Sequence, residues 1–434
     1  MHIAVIGAGI VGLATAWRLR QDGHRVTVLD KHPEVGMGAS HANGGQLSYR
    51  YIAPLADPDV LAKIPGWMLR HDAPVRFRPR FDPEQWRWLA AFLKACNGHD
   101  KLRSVASLLP LSLYSRALVH ELVREHGLSF DHARNGKLIV HRDRRDFDSA
   151  RRLLDTKPEL RDEQRALDAD ACLALEPALA RLRGDLVGGI HTPGEEAGDC
   201  LKLCQALAND LRRGPNPAEF LLGQDALVVT RVGRRIVAVH TLDQAVAADA
   251  FVLATGVGTN RLLKPLGARV PVYPVKGYSV NLRVEQGACA PAVSVTDYQR
   301  KIVYAPIGDA LRVAGMADIV GEDESLNSDR VATLIRETSA LFGDWAEHAQ
   351  VTPWAGLRPA TPTGRPLVDR CPEFDNLWLN VGQGALGFTL AMGCAALIAD
   401  RIGGRAPAVP DEAFRFESVA PQGWRPRVAN PSAA

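Results

Sequence analysis

The pattern of apolar and polar positions sorts the chain into short buried strands, glycine turns and amphipathic helices. Residues 3–30 read IAVIGAGIVGLATAWRLRQDGHRVTVLD. An apolar run leads into a glycine turn. A helix follows, with apolar positions at Val11, Ala14 and Leu19, ended by Asp22-Gly23, and RVTVLD is a second apolar run. Apolar runs flanking a helix-period segment predict a βαβ unit, and such units build parallel sheets.

Residues 36–54 form a Gly/Ser/Asn loop running into Pro54, and a Trp- and Arg-rich stretch at 65–103 turns helical. Residues 104–127 have the period of an amphipathic helix, followed by a strand at 137–141 and helices through 147–176. LVGGIH at 186–191 predicts a strand, and Asp199 a cap for a helix over 200–212. ALVV and RRIVAVHTL read as strands, and DAFVLATG at 249–256 as a buried strand ending in a second glycine turn. From 270 to 320 the pattern alternates (YSVNLRV, KIVYAPI, LRVAGM), the period of an antiparallel sheet. A helix is expected at 328–342, a last buried strand at 377–382, and a third glycine turn opening a final helix; the tail after 410 is Pro-rich. Nucleotide-domain elements therefore recur at the start, middle and end. The expected class is α/β: a Rossmann-like domain in pieces (1–65, 182–272 and 352–415) carrying an inserted α+β substrate domain with a mixed or antiparallel sheet (66–181 and 273–351), and a tail at 416–434.

Composition narrows the classes. The 434 residues are 46% hydrophobic and 23% charged with a net charge of +3, ordinary for a soluble globular protein and too weak a charge for a nucleic-acid partner. The start, HIAVIG, reads directly as a strand, and no run of about 18 apolar residues is evident, so neither a cleaved leader nor a spanning helix is expected. The seven cysteines (96, 172, 200, 204, 289, 371 and 394) form no CxxC or Cys/His metal spacing. A reducing, cytoplasmic setting is expected, with no metal site and no disulfide framework.

Gly7-Ala8-Gly9-Ile10-Val11-Gly12 follows a strand and opens a helix. Gly7 permits the tight turn, Gly9 lets backbone approach a pyrophosphate, and Gly12 lets the helix pack on the strand. The helix N-terminus offers free N–H groups to phosphates. Asp30 ends the second strand, where it can accept from an adenosine ribose. An NAD site needs this turn alone. The turns at Thr255-Gly256 and at Gly382-x-Gly384-x-x-Gly387 favour FAD, because the last helix N-terminus can meet the flavin's N1/O2 edge.

GAGIVG with Asp30, SHANGGQLSYRYIAP (40–54), DAFVLATG, PVYPVKGYSV (271–280), WAGLRPATPTGRPLV (354–368) and NVGQGALGFTLAMG (380–393), in this order, resemble the D-amino acid oxidase-like flavoprotein superfamily, and within it the bacterial D-amino acid dehydrogenases. The resemblance spans about residues 1–410. It implies bound FAD and oxidative deamination of D-amino acids to 2-oxo acids and ammonia, with electrons passed to a membrane quinone or another acceptor. It places Gly7, Gly9, Gly12 and Asp30 at the adenosine diphosphate, and Ser40, Asn43, Gly45 and Gln46 near the ribityl chain and flavin. Gly384, Gly387 and Thr389 fall at the pyrimidine end. Ile10, Val11, Lys31, Gly44, Thr255, Gly256, Gly356, Leu386 and Phe388 complete the expected cofactor-binding set. Gln383 departs from the pattern, standing where relatives often carry a histidine.

Hydride transfer from Cα to flavin N5 requires an anchored substrate carboxylate, which an arginine fork matches bidentately. Arg358 is the candidate. No acidic residue lies within the seven positions before it, and the alternative is a turn arginine or one paired with a protein carboxylate. Arg365 is expected at the surface. Tyr51, Tyr278 and Tyr304 are candidates for hydrogen bonds to substrate, against core or sheet packing. Lys276 is read as a flavin-side cation or a surface lysine, and His41 as local structure. The segment 65–103 holds three of eight tryptophans and eight Lys/Arg against four Asp/Glu. It reads either as peripheral contact with the inner face of the cell membrane or as a helix packed through Trp86, Leu89, Leu93 and Cys96. Two other functions stay open: a glycine, sarcosine or cyclic imino acid (D-proline or D-hydroxyproline type) oxidase or dehydrogenase, and a flavin-binding subunit without catalysis.

Overall fold

The computed structural model describes residues 1–58, 60, 66, 73–156, 163–214, 216–420 and 424. Trp67, one of the three tryptophans of the 65–103 segment, lies outside the described residues. A six-stranded sheet has the order Leu367–Arg370, Leu377–Val381, Ala250–Leu253, His2–Ile6, Arg25–Asp30, Glu219–Leu222. All its pairs are parallel except the first. Its central strands are apolar throughout because both faces are covered: Ile3 to Ile6 are at most 3% exposed. Helices Ile10–Gln21, Cys200–Leu211 and Gly387–Ile402 pack together in one core. Gly384–Ile402 is long and apolar enough to cross a membrane, but it is mostly buried inside the protein and serves as a core helix.

A nine-stranded mixed sheet forms the second layer system. Its order is Val351–Ala360, Tyr273–Arg283, Ala310–Ile319, Ile302–Ile307, Ser294–Asp297, Lys137–His141, Gly188–Thr192, Arg165–Asp168, with Val75–Phe77 added beside Ala310–Ile319. The alternation read over 270–320 corresponds to antiparallel pairs here. Helix Ser328–Phe342 lies behind them, capped by Asn327.

Several boundaries differ from the sequence reading. Gly188–Thr192 and Val351–Ala360 belong to the large sheet, although the expected divisions at 182 and 352 assign them to the nucleotide domain. Gly188–Thr192 is short and Gly-rich, and Val351–Ala360 is interrupted by two prolines and a glycine, so the pattern could not say which sheet they join. The long helix begins at Gly98, earlier than 104, because Asn97 caps it through Asp100 N–H. The tail is packed through Phe416, Val419 and Trp424, each at most 3% exposed. Phe416 N–H donates to Asp369 at 2.8 Å. Helix Pro83–Ala95 buries Gln85, Trp88, Phe92 and Ala95, a face rotated from the expected one. Cys96 is buried, Leu89 is partly covered, and Trp86 and Leu93 are exposed.

Candidate functional site

The glycine loop is built by close backbone approach. Gly7 has φ +113°, and a Cβ there would lie 2.4 Å from the Ala254 carbonyl. A Cβ on Gly12 would lie 1.8 Å from the Gly7 carbonyl. Both glycines are required by the fold itself. Gly9 differs: its Cβ would meet only Ser40 Oγ, at 3.3 Å, and the helix it caps has no side-chain cap. Ile10 N–H of that first turn is taken by Ser40 Oγ, the N–H groups that follow it have no side-chain cap, and the missing side chain at Gly9 keeps the approach to them open. Asp30 holds the loop, accepting from Ala8 N–H at 2.6 Å and His32 N–H at 2.9 Å.

The second cradle is the loop at 40–48. Ser40 Oγ accepts from Ile10 N–H at 3.0 Å, and Asn43 Oδ1 from Gly45 N–H at 3.0 Å. Ser279 Oγ donates to the Ala42 carbonyl at 2.6 Å, and Arg312 to the Asn43 carbonyl at 2.8 Å. Arg312 is itself paired with Asp199, 3.2 Å away, the cap of helix Cys200–Leu211. Ser48 N–H donates to Thr389 Oγ1 at 3.1 Å, tying this loop to the start of the last helix, which also lacks a side-chain cap.

These cradles open on one cavity of about 1530 Å³ between the two sheets. A small-molecule pocket usually holds about 300–1,000 Å³, so there is room for a dinucleotide and a second ligand. Every expected cofactor residue except Gly12 lines it, Gly12 standing behind the turn: Gly7, Gly9, Ile10, Val11, Asp30, Lys31, Ser40, Asn43, Gly44, Gly45, Gln46, Thr255, Gly256, Gly356, Gly384, Leu386, Gly387, Phe388 and Thr389. The open Gly9 approach, two helix N-termini without a capping side chain at the N-cap and the volume of the cavity fit FAD. None of the seven cysteines lines it. Gln383 is buried yet lines the cavity at the third turn, its amide donating to Asn380 Oδ1 at 2.7 Å.

Arg358 is in a strand, Val351–Ala360, not in the loop suggested by its Gly/Pro neighbours. Its guanidinium lies flat over Gly277 of the adjacent strand, where a Cβ would be 2.2 Å from Nη2. Nη1 donates to the Met316 carbonyl at 2.8 Å. That carbonyl is available because Met316 has φ +66° in a bulge of its strand, between the pairs Lys276↔Asp318 and Tyr278↔Gly315. Among the described residues no carboxylate pairs with Arg358; Asp318, the nearest to act on it, is bound by Arg330 at 2.6 Å. Burial lowers the Arg358 pKa, and Asp318 raises it. The remaining donors of the fork lie at the cavity, half-buried.

The three tyrosines part company. Tyr51 lines the cavity, and its ring lies 4.4 Å from Lys137 Nζ. Tyr278 reaches the wall, but its hydroxyl donates to Asp318 at 3.1 Å, and burial is the main cause of its raised pKa. Tyr304 does not line the cavity: strand alternation turns Val303 inward and Tyr304 into the core, where its ring meets Phe342 edge-on at 5.1 Å. Arg365 is 3% exposed and donates to the carbonyls of Ser418 (2.9 Å) and Ala413 (3.4 Å), so its expected surface position is corrected: the tail folds over it. Lys276 is buried and sits 3.5 Å from Asp323. His41 Nδ1 is buried without a partner among the described residues, and its ring lies 6.5 Å from that of Trp354.

Sequence reasoning overlooked Lys137, Met316, Trp354 and the cluster of His120, His132 and Glu196. In that cluster the two imidazoles bracket one buried carboxylate at 2.5 and 2.8 Å. A lysine opening the apolar strand KLIVH was the one available signal among these; the others are brought together only by the fold.

Residues 2–401 match the family described as FAD dependent oxidoreductase. A protein named D-amino acid dehydrogenase 2 from Ralstonia nicotianae is 51% identical over 419 residues, covering 94% of this chain and 98% of that one. A protein of the same name from Pseudomonas aeruginosa is 46% identical, covering 94% and 96%. Among solved structures, glycine oxidase from Geobacillus kaustophilus superposes with a TM-score of 0.75 at 22% identity, covering 95% and 97%. L-Proline dehydrogenase from P. horikoshii gives 0.74 at 16%, covering 96% of each chain. The nucleotide cradle, the two-sheet cavity and a family match over nearly the whole length agree: the chain belongs to the FAD-dependent oxidoreductases.

Proposed function

We propose that this chain is an FAD-dependent D-amino acid dehydrogenase, producing 2-oxo acids and ammonia. One observation carries the reading: the guanidinium of Arg358, without a carboxylate partner among the described residues, lines the same cavity as the glycine cradles. Bound FAD supplies the hydride acceptor. Arg358 takes the substrate carboxylate in a bidentate grip, its plane fixed by Gly277 beneath and the Met316 carbonyl at its edge. Fixing the carboxylate orients the Cα–H bond and removes rotational freedom before reaction. No side chain need act as base toward Cα, because the lone pair of a neutral amine expels the hydride. The two homologues named D-amino acid dehydrogenase 2 support the D-amino acid as substrate.

The acceptor we propose is a membrane quinone, reached from the cytoplasmic face. Phe81, Trp86, Leu93 and Leu102 are exposed apolar side chains beside Arg87, Lys94 and Lys101, and Leu102 also lines the cavity. Aromatic and cationic side chains together suit an anionic lipid interface. Anaerobic mixing of the yellow protein with D-amino acids, their L-enantiomers, glycine, sarcosine and D-proline tests the reading. D-amino acids should bleach the flavin band near about 450 nm while L-enantiomers do not. Bleaching by glycine or sarcosine alone would transfer the activity to that class, and bleaching by none would remove the enzyme reading. Co-sedimentation with anionic vesicles, lost in Phe81→Ser/Trp86→Ser, tests the membrane face.

A further inference from the structure

The cavity holds a second cation in an unusual state. Lys137 begins strand Lys137–His141 and is 2% exposed, yet it lines the cavity. Its ammonium donates to Ser48 Oγ at 2.9 Å and faces the Tyr51 ring at 4.4 Å. Among the described residues no carboxylate forms an ion pair with it. Glu195 is the carboxylate that acts on it: its Oε1 accepts from Arg50 N–H at 2.6 Å, while its Oε2 is buried without a hydrogen-bond partner among the described residues. Burial raises the Glu195 pKa, against the Lys137 charge and the backbone donors, which lower it.

Most other buried cations are neutralised by carboxylates: Arg330 by Asp318, Arg312 by Asp199, Lys276 by Asp323. Arg365 has two carbonyls and lies away from the cavity. Of the remaining cations along the cavity wall, Arg50, Lys101 and Arg261 are ion-paired, Lys31 and Arg152 are solvent-exposed, and Lys301 is exposed over the Tyr298 ring at 3.6 Å. Lys137 and Arg358 are the wall cations, buried or half-buried, that hydrogen-bond only to neutral groups, and both line the same cavity. A buried ammonium without a counter-charge is costly, so a site that retains one favours an incoming anion. Desolvation lowers the Lys137 pKa to about 8, which leaves it mostly charged at neutral pH.

The two stand on one sheet. The Arg358 fork reaches the Met316 carbonyl on strand Ala310–Ile319, and two strands, Ile302–Ile307 and Ser294–Asp297, separate that strand from Lys137. Three spacings make about 14 Å across the strands, and the registers set Lys137 level with Arg312, four residues before Met316, an offset of about 13 Å along them; the four-methylene stem of the lysine shortens this separation. We infer that Arg358 and Lys137 form a two-cation seat for a D-amino acid with a carboxylate in its side chain, Arg358 taking the α-carboxylate and Lys137 the distal one. The inference rests on the D-amino acid reading above and adds the substrate class to it.

The test compares isosteres on the FAD-loaded enzyme. Reductive half-reactions are measured for D-aspartate, D-glutamate and D-2-aminoadipate against D-asparagine, D-glutamine and D-alanine. One acid of the series should exceed its amide by at least about tenfold in kcat/KM, the size of a charge-assisted bond over a neutral one. The length that wins reports the span between the cations. In Lys137→Met that ratio should fall at least about tenfold. A second readout needs no variant: glutarate should displace a bound monocarboxylate such as butyrate from the wild-type oxidised enzyme, with a dissociation constant at least about tenfold lower. Equal turnover of acids and amides, or equal binding of glutarate and butyrate, overturns the seat while leaving the D-amino acid reading intact. Bleaching by no D-amino acid defeats the underlying reading instead. A Lys137→Met enzyme whose acid-to-amide ratio is unchanged while its flavin spectrum or sulfite affinity shifts also overturns the seat, and moves the lysine to the cofactor.

Discussion

The glycine turn at residues 7–12 and the strand pair at Gly277 and Gly356 both remove side chains, but for different occupants. At the turn, Gly7 and Gly12 make room for the backbone of the chain itself, while Gly9 leaves open an approach that no described backbone atom closes within 4 Å. At the strand pair, Gly277 makes room for the Arg358 guanidinium and Gly356 for the Trp354 ring, which would lie 1.9 Å from an added Cβ. The first region shapes a hole for a ligand's phosphates. The second lays a cation and an aromatic ring flat on a sheet so that they can meet a ligand from above. Glycine in a strand usually weakens it, and here the register Gly277↔Gly356 puts two such positions opposite one another.

That comparison breaks most severely at Arg358. Replacing it with alanine should leave FAD bound and cost about 2–5 kcal/mol in kcat/KM, the usual penalty for stripping one partner from a buried charge pair. Stopped-flow flavin reduction measures this directly. An Arg358→Ala enzyme reduced at the wild-type rate and affinity would refute the anchor.

Gly9→Ala comes next. The added methyl meets only Ser40 Oγ at 3.3 Å, so the apoprotein should fold, with melting changed by less than about 1 kcal/mol. FAD should bind about 10- to 100-fold more weakly, because the methyl stands where a pyrophosphate approaches the helix N-terminus. Equilibrium titration of apoprotein with FAD distinguishes the two. Undiminished FAD affinity would show that Gly9 serves the chain alone, as Gly7 and Gly12 do.

Gly277→Ala sharpens the comparison from the other side. Its methyl would collide with the Arg358 fork at 2.2 Å, so the guanidinium must leave its seat. The Met316 carbonyl loses its donor, and the substrate loses alignment while the charge remains nearby. The expected loss is about 10- to 100-fold in kcat/KM, smaller than for Arg358→Ala. Rescue of part of the loss by a longer-reaching anion such as a sulfonate analogue would locate the displaced fork; a variant as active as wild type would show that the flat seat has no catalytic consequence.

The two regions were also unequally legible. The turn's meaning is local: strand, glycines, helix and Asp30 occupy thirty consecutive residues, and each has a physical reason to stand at its position. The Arg358 seat joins residues 277, 316 and 358, whose contact depends on antiparallel register and on a bulge at Met316 that no periodicity announces. Arg358 itself was singled out by its unpaired surroundings, the chemistry of the carboxylate and the family resemblance at Gly-Leu-Arg-Pro. Its strand setting was not legible, because Pro353, Gly356 and Pro359 argue for a loop. Lys137 escaped for a related reason: its setting comes from Ser48 and Tyr51, nearly ninety residues away, and from burial with no carboxylate within ion-pair distance among the described residues.

The smallest expected effect is at Tyr304, where the sequence reading and the fold disagree. Two strands of the large sheet carry candidate tyrosines at buried positions, and alternation decides their fates. Tyr278 sends its hydroxyl to Asp318, the residue that also holds Arg330, so it belongs to the network behind Arg358. Tyr304 sends its ring to Phe342 and leaves its hydroxyl without a partner among the described residues. An unpaired buried hydroxyl costs free energy that phenylalanine avoids without changing the ring. Tyr304→Phe should therefore keep flavin reduction within about twofold of wild type and raise stability by up to about 1 kcal/mol in urea unfolding. Tyr278→Phe should lower stability by about 1 kcal/mol, since Asp318 loses a donor. A slow Tyr304→Phe enzyme with unchanged stability would return that tyrosine to the substrate and would mean that the strand Ile302–Ile307 is turned the other way.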